Sequence, residues 1–147
     1  MNASAAGKLY TAELLSLATE LADYPLAGEW PVTAEARSKT CGSSIRIGIA
    51  KDGQGAIDRL GLAVTACAVG QASAAIFARH AAGLHADDIL AALREIEAWL
   101  LSADAPMPEW PDMDALLAAR SYRGRHGAIA LAWRAAAEAL CKADSSG

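Results

Sequence analysis

The stretch LGLAVTACAVGQASAA, residues 60–75, decides what this chain can fold into. Its first half places large apolar residues at every second position up to Val64, a spacing typical of a β-strand. Its second half is rich in alanine and predicts a helix over about residues 68–82, ended by Gly83. Cys67 therefore lies where a strand ends and a helix begins.

Two more strands are predicted before this stretch. Residues 44–49 carry isoleucine at every second position, which indicates a strand with one buried face. Residues 51–55 read Lys-Asp-Gly-Gln-Gly, a turn signal, and residues 57–64 then form the returning strand, with a bulge near Arg59. Residues 34–40 are expected to supply a third strand. Together they predict a three-stranded antiparallel sheet.

Helices account for most of the remaining chain. Because strands come first and helices afterwards, the sequence predicts an α+β fold, with the sheet packed against about four to five helices. One domain spans residues 1–147, and residues 1–7 and 143–147 are expected to be flexible tails. The remaining helices are predicted over about residues 8–23, 86–102, 112–119 and 127–142, each from its apolar periodicity.

Composition excludes several classes of function. The net charge of the 147 residues is -4, which argues against binding a phosphate backbone, so no nucleic-acid partner is expected. The uncharged stretch between Arg59 and Arg79 is rich in small and polar residues, which favours a strand and a buried helix over a membrane span. Three cysteines at wide spacing do not indicate a disulfide framework, so a reducing, cytoplasmic setting is expected.

Cysteine chemistry offers the first candidate site. A thiol at a helix N-terminus, as predicted for Cys67, feels the positive end of the helix dipole, which favours the thiolate. Thiolate is the form that binds zinc or iron. The alternative is that Cys67 only packs in the core, as free cysteines often do. His126, just before the last helix, is the most interesting histidine, although a loop histidine beside arginines is usually only solvated.

Four segments carry a family resemblance. Residues 67–75 resemble the Gly-Cys-Ala-Ile-Ser-x-Ala-Ser-Ala segment of the IscU/NifU-type iron–sulfur cluster assembly scaffolds, and residues 82–88 resemble the helix start that follows it. Residues 41–47 resemble the family's Cys-Gly-Asp and strand. Residues 131–133, Leu-Ala-Trp, resemble the segment after the third cysteine in the SufU branch. The resemblance covers residues 10–140 and implies a scaffold that is not an enzyme.

The resemblance implies a ligand set that this chain only half retains. The family holds metal with three cysteines and one aspartate, and Cys41 and Cys67 match two of these cysteines. Ser43 stands at the aspartate position and Ala128 at the third cysteine position. Cys141 follows Ala128 by 13 residues on the same predicted helix. At about 1.5 Å per residue it lies roughly 20 Å away and cannot replace the lost ligand.

The resemblance therefore predicts Cys41 and Cys67 as the cofactor-binding residues for an iron–sulfur cluster or zinc. His126, two residues before the lost cysteine, is the expected third metal ligand, because imidazole suits zinc and iron. Binding through two cysteines and a histidine is expected to be weak or absent.

Three functions compete at this point. The first is a divergent scaffold or sulfur-transfer accessory that still binds iron or zinc. The second is a metal-free relative that binds and regulates a partner, such as a cysteine desulfurase or another cluster-assembly protein. The third is a thiol enzyme with Cys67 as its nucleophile.

Overall fold

The structure is a computed structural model that describes residues 9–39 and 41–146, with the backbone alone for residues 143–146. Its helices and strands follow the predicted order, and the α+β fold is confirmed. The α-helices are α1 (Ala12–Thr19), α2 (Ala68–Ala81), α3 (Ala86–Leu101) and α4 (His126–Ser146). The strands are β1 (Val32–Arg37), β2 (Ser44–Lys51) and β3 (Ile57–Thr65), and 3-10 helices span Glu20–Asp23, Met113–Ser121 and Arg123–Arg125.

The sheet is an antiparallel meander in the order β1-β2-β3. Lys51 pairs with Ile57 and Ala50 with Arg59, so Asp58 is the extra residue of a bulge, next to the predicted position. The alternate isoleucines of β2 are fully buried, as their period of two predicts. β1 begins two residues earlier than expected, at Val32, because its pairing with β2 is set by the partner strand.

Helices α2 and α4 cover the buried face of the sheet and are joined by an aromatic cluster. Phe77 stacks on Trp110 at 5.7 Å between ring centroids, and the edge of Trp133 meets Phe77 at 5.5 Å. Ser73, fully buried on α2, donates a 2.6 Å hydrogen bond to the carbonyl of Ile129 on α4. Aromatic pairs of this kind stabilise a fold by about 0.5–1.5 kcal/mol each beyond their buried area. The two helices are thus fixed relative to each other.

Trp30, in the loop before β1, covers part of the opposite face of the sheet. Gly48 and Gly61 are directly paired across β2 and β3, and Trp30 lies over both. A Cβ atom at Gly48 would lie 2.4 Å from the Trp30 ring, so only glycine allows this close approach. Arg59 packs over the same ring, 4.7 Å from its centroid. Trp30 therefore covers the pair of glycines, whereas Glu35, Arg46 and Ala63 on the same face are exposed.

Three helical segments differ from their predictions. The helix predicted over about residues 8–23 is an α-helix over Ala12–Thr19 that continues as a 3-10 helix over Glu20–Asp23. The segment predicted as a short helix over residues 112–119 is a 3-10 helix, and it follows Asp112, whose φ of 69° is left-handed. Helix α4 continues to Ser146 instead of ending near residue 142. Residues 1–7, expected to form a flexible tail, and Gly147 lie outside the described residues. In the part of the chain that is described, no helix combines the length and apolarity needed to cross a membrane.

A network of charged side chains joins Asp112, which follows the loop of residues 102–111, to helix α2 and to the 3-10 helix Glu20–Asp23. Arg79 on α2 donates to both carboxylate oxygens of Glu20 and, at 3.0 Å, to Asp112. His80 shares a 2.7 Å hydrogen bond with the same Asp112 oxygen. The hydrogen bond from His80 holds the pKa of Asp112 below its ordinary value against the opposing effect of burial, with Arg79 adding to it. Asp112 therefore stabilises the fold as a carboxylate.

We expect Asp112→Asn, which keeps the left-handed backbone accessible, to lower the melting temperature at neutral pH. Partly exposed ion pairs contribute about 1 kcal/mol or less, which corresponds to roughly 2–4 °C for a chain of this size. Because the folded-state pKa is depressed, this stability is present above the unfolded pKa of about 3.9 and is lost as pH falls through the folded value.

Thermal unfolding followed by circular dichroism between about pH 7 and pH 3 measures the effect. The gap between the natural protein and Asp112→Asn should close toward acid, while Asp104→Asn, at an exposed carboxyl, should leave the melting temperature unchanged at neutral pH. A gap that stays constant with pH would show that the charge of Asp112 is not its source.

Candidate functional site

A cavity of about 250 Å³ lies at the end of the sheet where β2 begins and β3 ends. Because Ser44 pairs directly with Thr65, the residues just before β2 and just after β3 must lie side by side. The structure therefore brings Cys41 and Cys67 into one cavity. Its lining consists of Cys41, Gly42, Ser43, Thr65, Ala66, Cys67 and Arg125.

Cys41 is held in a short loop closed by its own backbone. Ser38 N–H donates to the carbonyl of Ser43 at 2.8 Å, and Gly42 N–H donates to the carbonyl of Ser38 at 3.2 Å. Gly42 adopts a φ of 71°, a left-handed conformation that favours glycine. The Cys41 thiol lies 3.3 Å from the Ser38 hydroxyl and 3.1 Å from the Ser43 hydroxyl. Two buried serines thus contact the sulfur directly.

These contacts set the acidity of Cys41. Burial raises the pKa of its thiol, but hydrogen bonds with the side chains of Ser38 and Ser43 and with the Ser43 backbone lower it, as does the positive charge of Arg125. The net result is a pKa below the ordinary value for cysteine. More of Cys41 is therefore thiolate at neutral pH than in a free cysteine, and the thiolate is the nucleophilic form.

Cys67 occupies the N-cap of α2, as the sequence predicts. Its backbone is extended, with φ -67° and ψ 172°, and its carbonyl accepts the Gln71 N–H at 2.9 Å. Its half-buried thiol makes no capping hydrogen bond. The Gln71 side chain returns to the carbonyl of Ala66 at 2.9 Å, which fixes the turn between β3 and α2. The positive end of the helix dipole therefore acts on this side of the cavity.

Arg125 is the cavity residue that sequence reasoning missed. Its neighbours Arg123 and His126 suggest a solvated basic loop, yet Arg125 is half-buried and its guanidinium donates to the hydroxyl of Tyr10 at 3.3 Å. The sequence signal for Arg125 is its position three residues before Ala128, immediately before the start of α4. A guanidinium in the cavity favours a bound anion and opposes a bound metal cation.

The structure does not bring His126 into this cavity. The Nε2 atom of His126 lies 2.6 Å from the carbonyl of Arg120, and His126 lines a separate groove with Leu101 and Leu117. His126 as a third metal ligand therefore stays a prediction that would require its ring to leave this hydrogen bond.

Ala128, at the position expected for the lost cysteine, is buried against the first turn of α2. A Cβ atom placed on Gly70 would lie 3.2 Å from the Cβ of Ala128, so the two helices touch here. The position is close to Cys67 in space, but an alanine methyl group offers no ligand atom. The neighbouring cavity therefore receives no third sulfur from α4.

The residues present do not fit a resident zinc ion or cluster. Structural zinc sites use four protein ligands, and the cavity supplies two thiols, serine hydroxyls and a cation. Among the side chains that the structure describes, those of residues 9–39 and 41–142, no group of three or more from histidine, cysteine, aspartate or glutamate is arranged to hold a metal ion. The arrangement instead places two thiols beside a positive charge.

Solved structures share this architecture over nearly its whole length. One is described as the N-terminal part of a nitrogen-fixing NifU-like protein from Brucella abortus; it is 27% identical, with a TM-score of 0.86, and the match covers 97% of this chain and 99% of that one. Another is described as an iron–sulfur cluster assembly scaffold protein for the SUF system from Fervidobacterium islandicum AW-1; it is 17% identical, with a TM-score of 0.77, over 91% and 98%.

No protein-family model matches the chain, and no curated protein sequence matches it. The likeness is thus carried by the fold and by a modest number of identical residues. It confirms the predicted resemblance to the IscU/NifU-type scaffolds, the class of protein that this fold defines. A structure described as a scaffold protein for the SUF system is among those with a similar fold, and the SufU-like character of residues 131–133 stays a prediction.

Restoring the two missing ligands should create a metal site. We expect Ser43→Asp combined with Ala128→Cys to bind zinc at least about tenfold more tightly than the natural chain. Removing a group that only hydrogen-bonds a metal ligand already lowers metal affinity by about 10- to 100-fold, and the two substitutions add ligands that contact the metal itself. Metal analysis of anaerobically purified protein and a zinc titration measure this.

The same assay tests His126, with His80→Ala as the matched control. If His126 is a ligand in the natural chain, His126→Ala lowers its metal content and His80→Ala does not; equal content in both rejects the role. If the natural chain holds metal as tightly as the restored double variant, the assignment of Ser43 and Ala128 to the lost ligand positions is wrong.

Proposed function

We propose that this protein is a sulfur-transfer accessory of iron–sulfur cluster assembly, which accepts a sulfur atom on Cys41 and uses the scaffold fold without a resident metal. One observation supports it above the others: Cys41 and Cys67 share a cavity with a guanidinium instead of further metal ligands. The similarity of the fold to solved structures described as a NifU-like protein and as a scaffold protein for the SUF system supports a role in cluster assembly.

The proposed donor is the persulfide of a cysteine desulfurase, as the resemblance implies. The Cys41 thiolate attacks the outer sulfur of that persulfide, a bond forms between this sulfur and Cys41 Sγ, and the donor's sulfur–sulfur bond breaks. The donor cysteine leaves as a thiolate, and Cys41 becomes the persulfide. No oxidant or reductant is needed, because the sulfane sulfur keeps its oxidation state.

The residues around Cys41 can stabilise both the thiolate that begins this step and the persulfide that it forms. The Ser43 hydroxyl, 3.1 Å from the sulfur, can donate to the thiolate before the reaction and to the persulfide afterwards, while the Ser38 hydroxyl, at 3.3 Å, accepts from the protonated thiol. Arg125 supplies a fixed positive charge at the cavity wall for either anion. Half-burial of Cys41 leaves it open to a partner's loop while limiting contact with water.

A docking surface lies next to the cavity. Leu101 is 88% exposed and Leu117 is 50% exposed, and both line a groove whose other residues include Arg120 and Arg123. The segment from Arg123 to His126 separates this groove from the cysteine cavity, since Arg125 lines the cavity. Apolar side chains ringed by positive charge complement an acidic, apolar patch, and we assign that patch to the desulfurase.

Sulfur loading tests the proposal directly. After incubation with a cysteine desulfurase and radiolabelled cysteine, the sulfur bound to the chain plus the sulfide it has released should approach one atom per chain. Cys41→Ser should reduce this total by about tenfold or more, because the thiolate is the attacking group. Arg125→Met should slow the transfer several-fold.

Cys141→Ser is the matched control, since Cys141 is an exposed thiol at the far end of α4. It should leave the transferred sulfur unchanged. If Cys41→Ser and Cys141→Ser behave alike, Cys41 is not the acceptor and the sulfur-transfer function is wrong.

The docking surface generates a separate prediction. Leu101→Asp should weaken binding of the desulfurase by about tenfold or more, which corresponds to about 1.4 kcal/mol. Leu15→Asp, at a leucine that is 46% exposed on α1, should leave binding unchanged. Isothermal titration measures both. Equal affinities for the two variants would place the interface elsewhere on the molecule.

A further inference from the structure

The second thiol of the cavity has no part in accepting sulfur from a donor. Cys67 lines the same cavity as Cys41, and no metal-binding group is present among the described residues to occupy both thiols. Two cysteines in one cavity can react with each other once one of them carries a sulfane sulfur. The pair therefore has a chemical use beyond ligation.

From this geometry we infer that Cys67 is a resolving thiol, which releases the sulfur carried by Cys41 as sulfide and leaves a Cys41–Cys67 disulfide. The inference rests on the proposed sulfur-transfer function and names the product that this site delivers. It assigns to this chain a sulfide-releasing activity in addition to carrying sulfur.

The step balances in atoms and electrons. The Cys67 thiolate attacks Cys41 Sγ, so the bond between the two cysteine sulfurs forms and the bond from Cys41 Sγ to the sulfane sulfur breaks. The sulfane sulfur leaves as hydrosulfide and has gained two electrons, which come from the pair of cysteine thiols as they become a disulfide. A dithiol reductant then returns the disulfide to two thiols.

The backbone on both sides of the cavity suits this closure. The pairing of Ser44 with Thr65 holds the two cysteine segments together, so the disulfide would close across the end of an existing hairpin. Gly42 follows Cys41 with a φ of 71°, and a Cβ atom there would meet nothing within 4 Å. The residue that follows Cys41 is therefore not packed against other side chains on this side, and closure requires the Cys41 sulfur to leave its contacts with Ser38 and Ser43.

The cavity also suits the leaving group. Arg125 lines it together with the two thiols, so the departing hydrosulfide leaves beside a guanidinium. Cys141, the other cysteine of the chain, is exposed near the opposite end of α4 and does not line the cavity. Within one chain, Cys67 is therefore the thiol that can attack the Cys41 persulfide.

A persulfide-loading experiment tests the inference. The Cys141→Ser chain, which lacks the cysteine outside the cavity, is mixed anaerobically with one equivalent of cysteine persulfide and no reductant. We expect close to one sulfide released per chain, an intact mass lower by two hydrogen atoms, and a peptide that links Cys41 to Cys67. Adding Cys67→Ser should stop the release and leave Cys41 heavier by one sulfur atom. Serine is a favoured N-cap residue, so this variant keeps the start of α2.

The outcomes separate the two levels of the proposal. If the Cys67→Ser chain takes up no sulfur on Cys41, the sulfur-transfer function fails and the inference fails with it. If that chain holds the persulfide and the chain with both thiols holds it equally long, sulfur transfer stands and the resolving role is overturned. Oxidation with diamide is the second measurement: a Cys41–Cys67 disulfide that raises the melting temperature supports the role, and failure to form it overturns the role.

Discussion

The pairing of Ser44 with Thr65, at the open end of the β2–β3 hairpin, is the constraint on which the site depends. Cys41 lies three residues before Ser44, and Cys67 lies two residues after Thr65. The hairpin register therefore fixes how near the two thiols lie. The register in turn follows from the isoleucines of β2, which must all face the helices to be buried. A shift by one residue would expose all of these isoleucines, and the hydrophobic core thus also sets the geometry of the cavity.

Helix α4 is held beside the cavity by aromatic contacts and one buried hydrogen bond. The Phe77, Trp110 and Trp133 cluster and the Ser73 hydrogen bond to Ile129 fix α4 against α2. This brings the residues at the start of α4 beside the N-terminal turn of α2, where the family resemblance places a third cysteine. In this chain the same position carries Ala128, while Arg125 lines the cavity. A metal ligand is thus absent at the position of Ala128, and a positive charge lines the neighbouring cavity; in the function that we propose, this charge stabilises anionic sulfur.

Much of the fold was readable from local patterns. Period-two isoleucines, the Lys-Asp-Gly-Gln-Gly turn and the alanine-rich segment after Cys67 give the hairpin and α2 with nearly correct bounds, since each pattern reflects burial of one face. The start of β1 and the 3-10 geometry after Asp112 were not readable. The first is set by pairing with β2, and the second by contacts of Asp112 with Arg79 and His80, which lie far away in sequence. Local propensity does not contain either piece of information.

The sequence by itself determined that Cys41 and Cys67 flank a hairpin and that Cys67 begins a helix, and its family resemblance predicted Ser43 and Ala128 at two ligand positions. These are statements about order and spacing along the chain. Only the tertiary structure decided that Arg125 lines the cavity while His126, the next residue, points its Nε2 atom to the carbonyl of Arg120. Adjacent residues at a helix start project in different directions, and which of them meets the hairpin depends on how α4 is rotated against α2. That rotation is fixed by packing among residues distant in sequence.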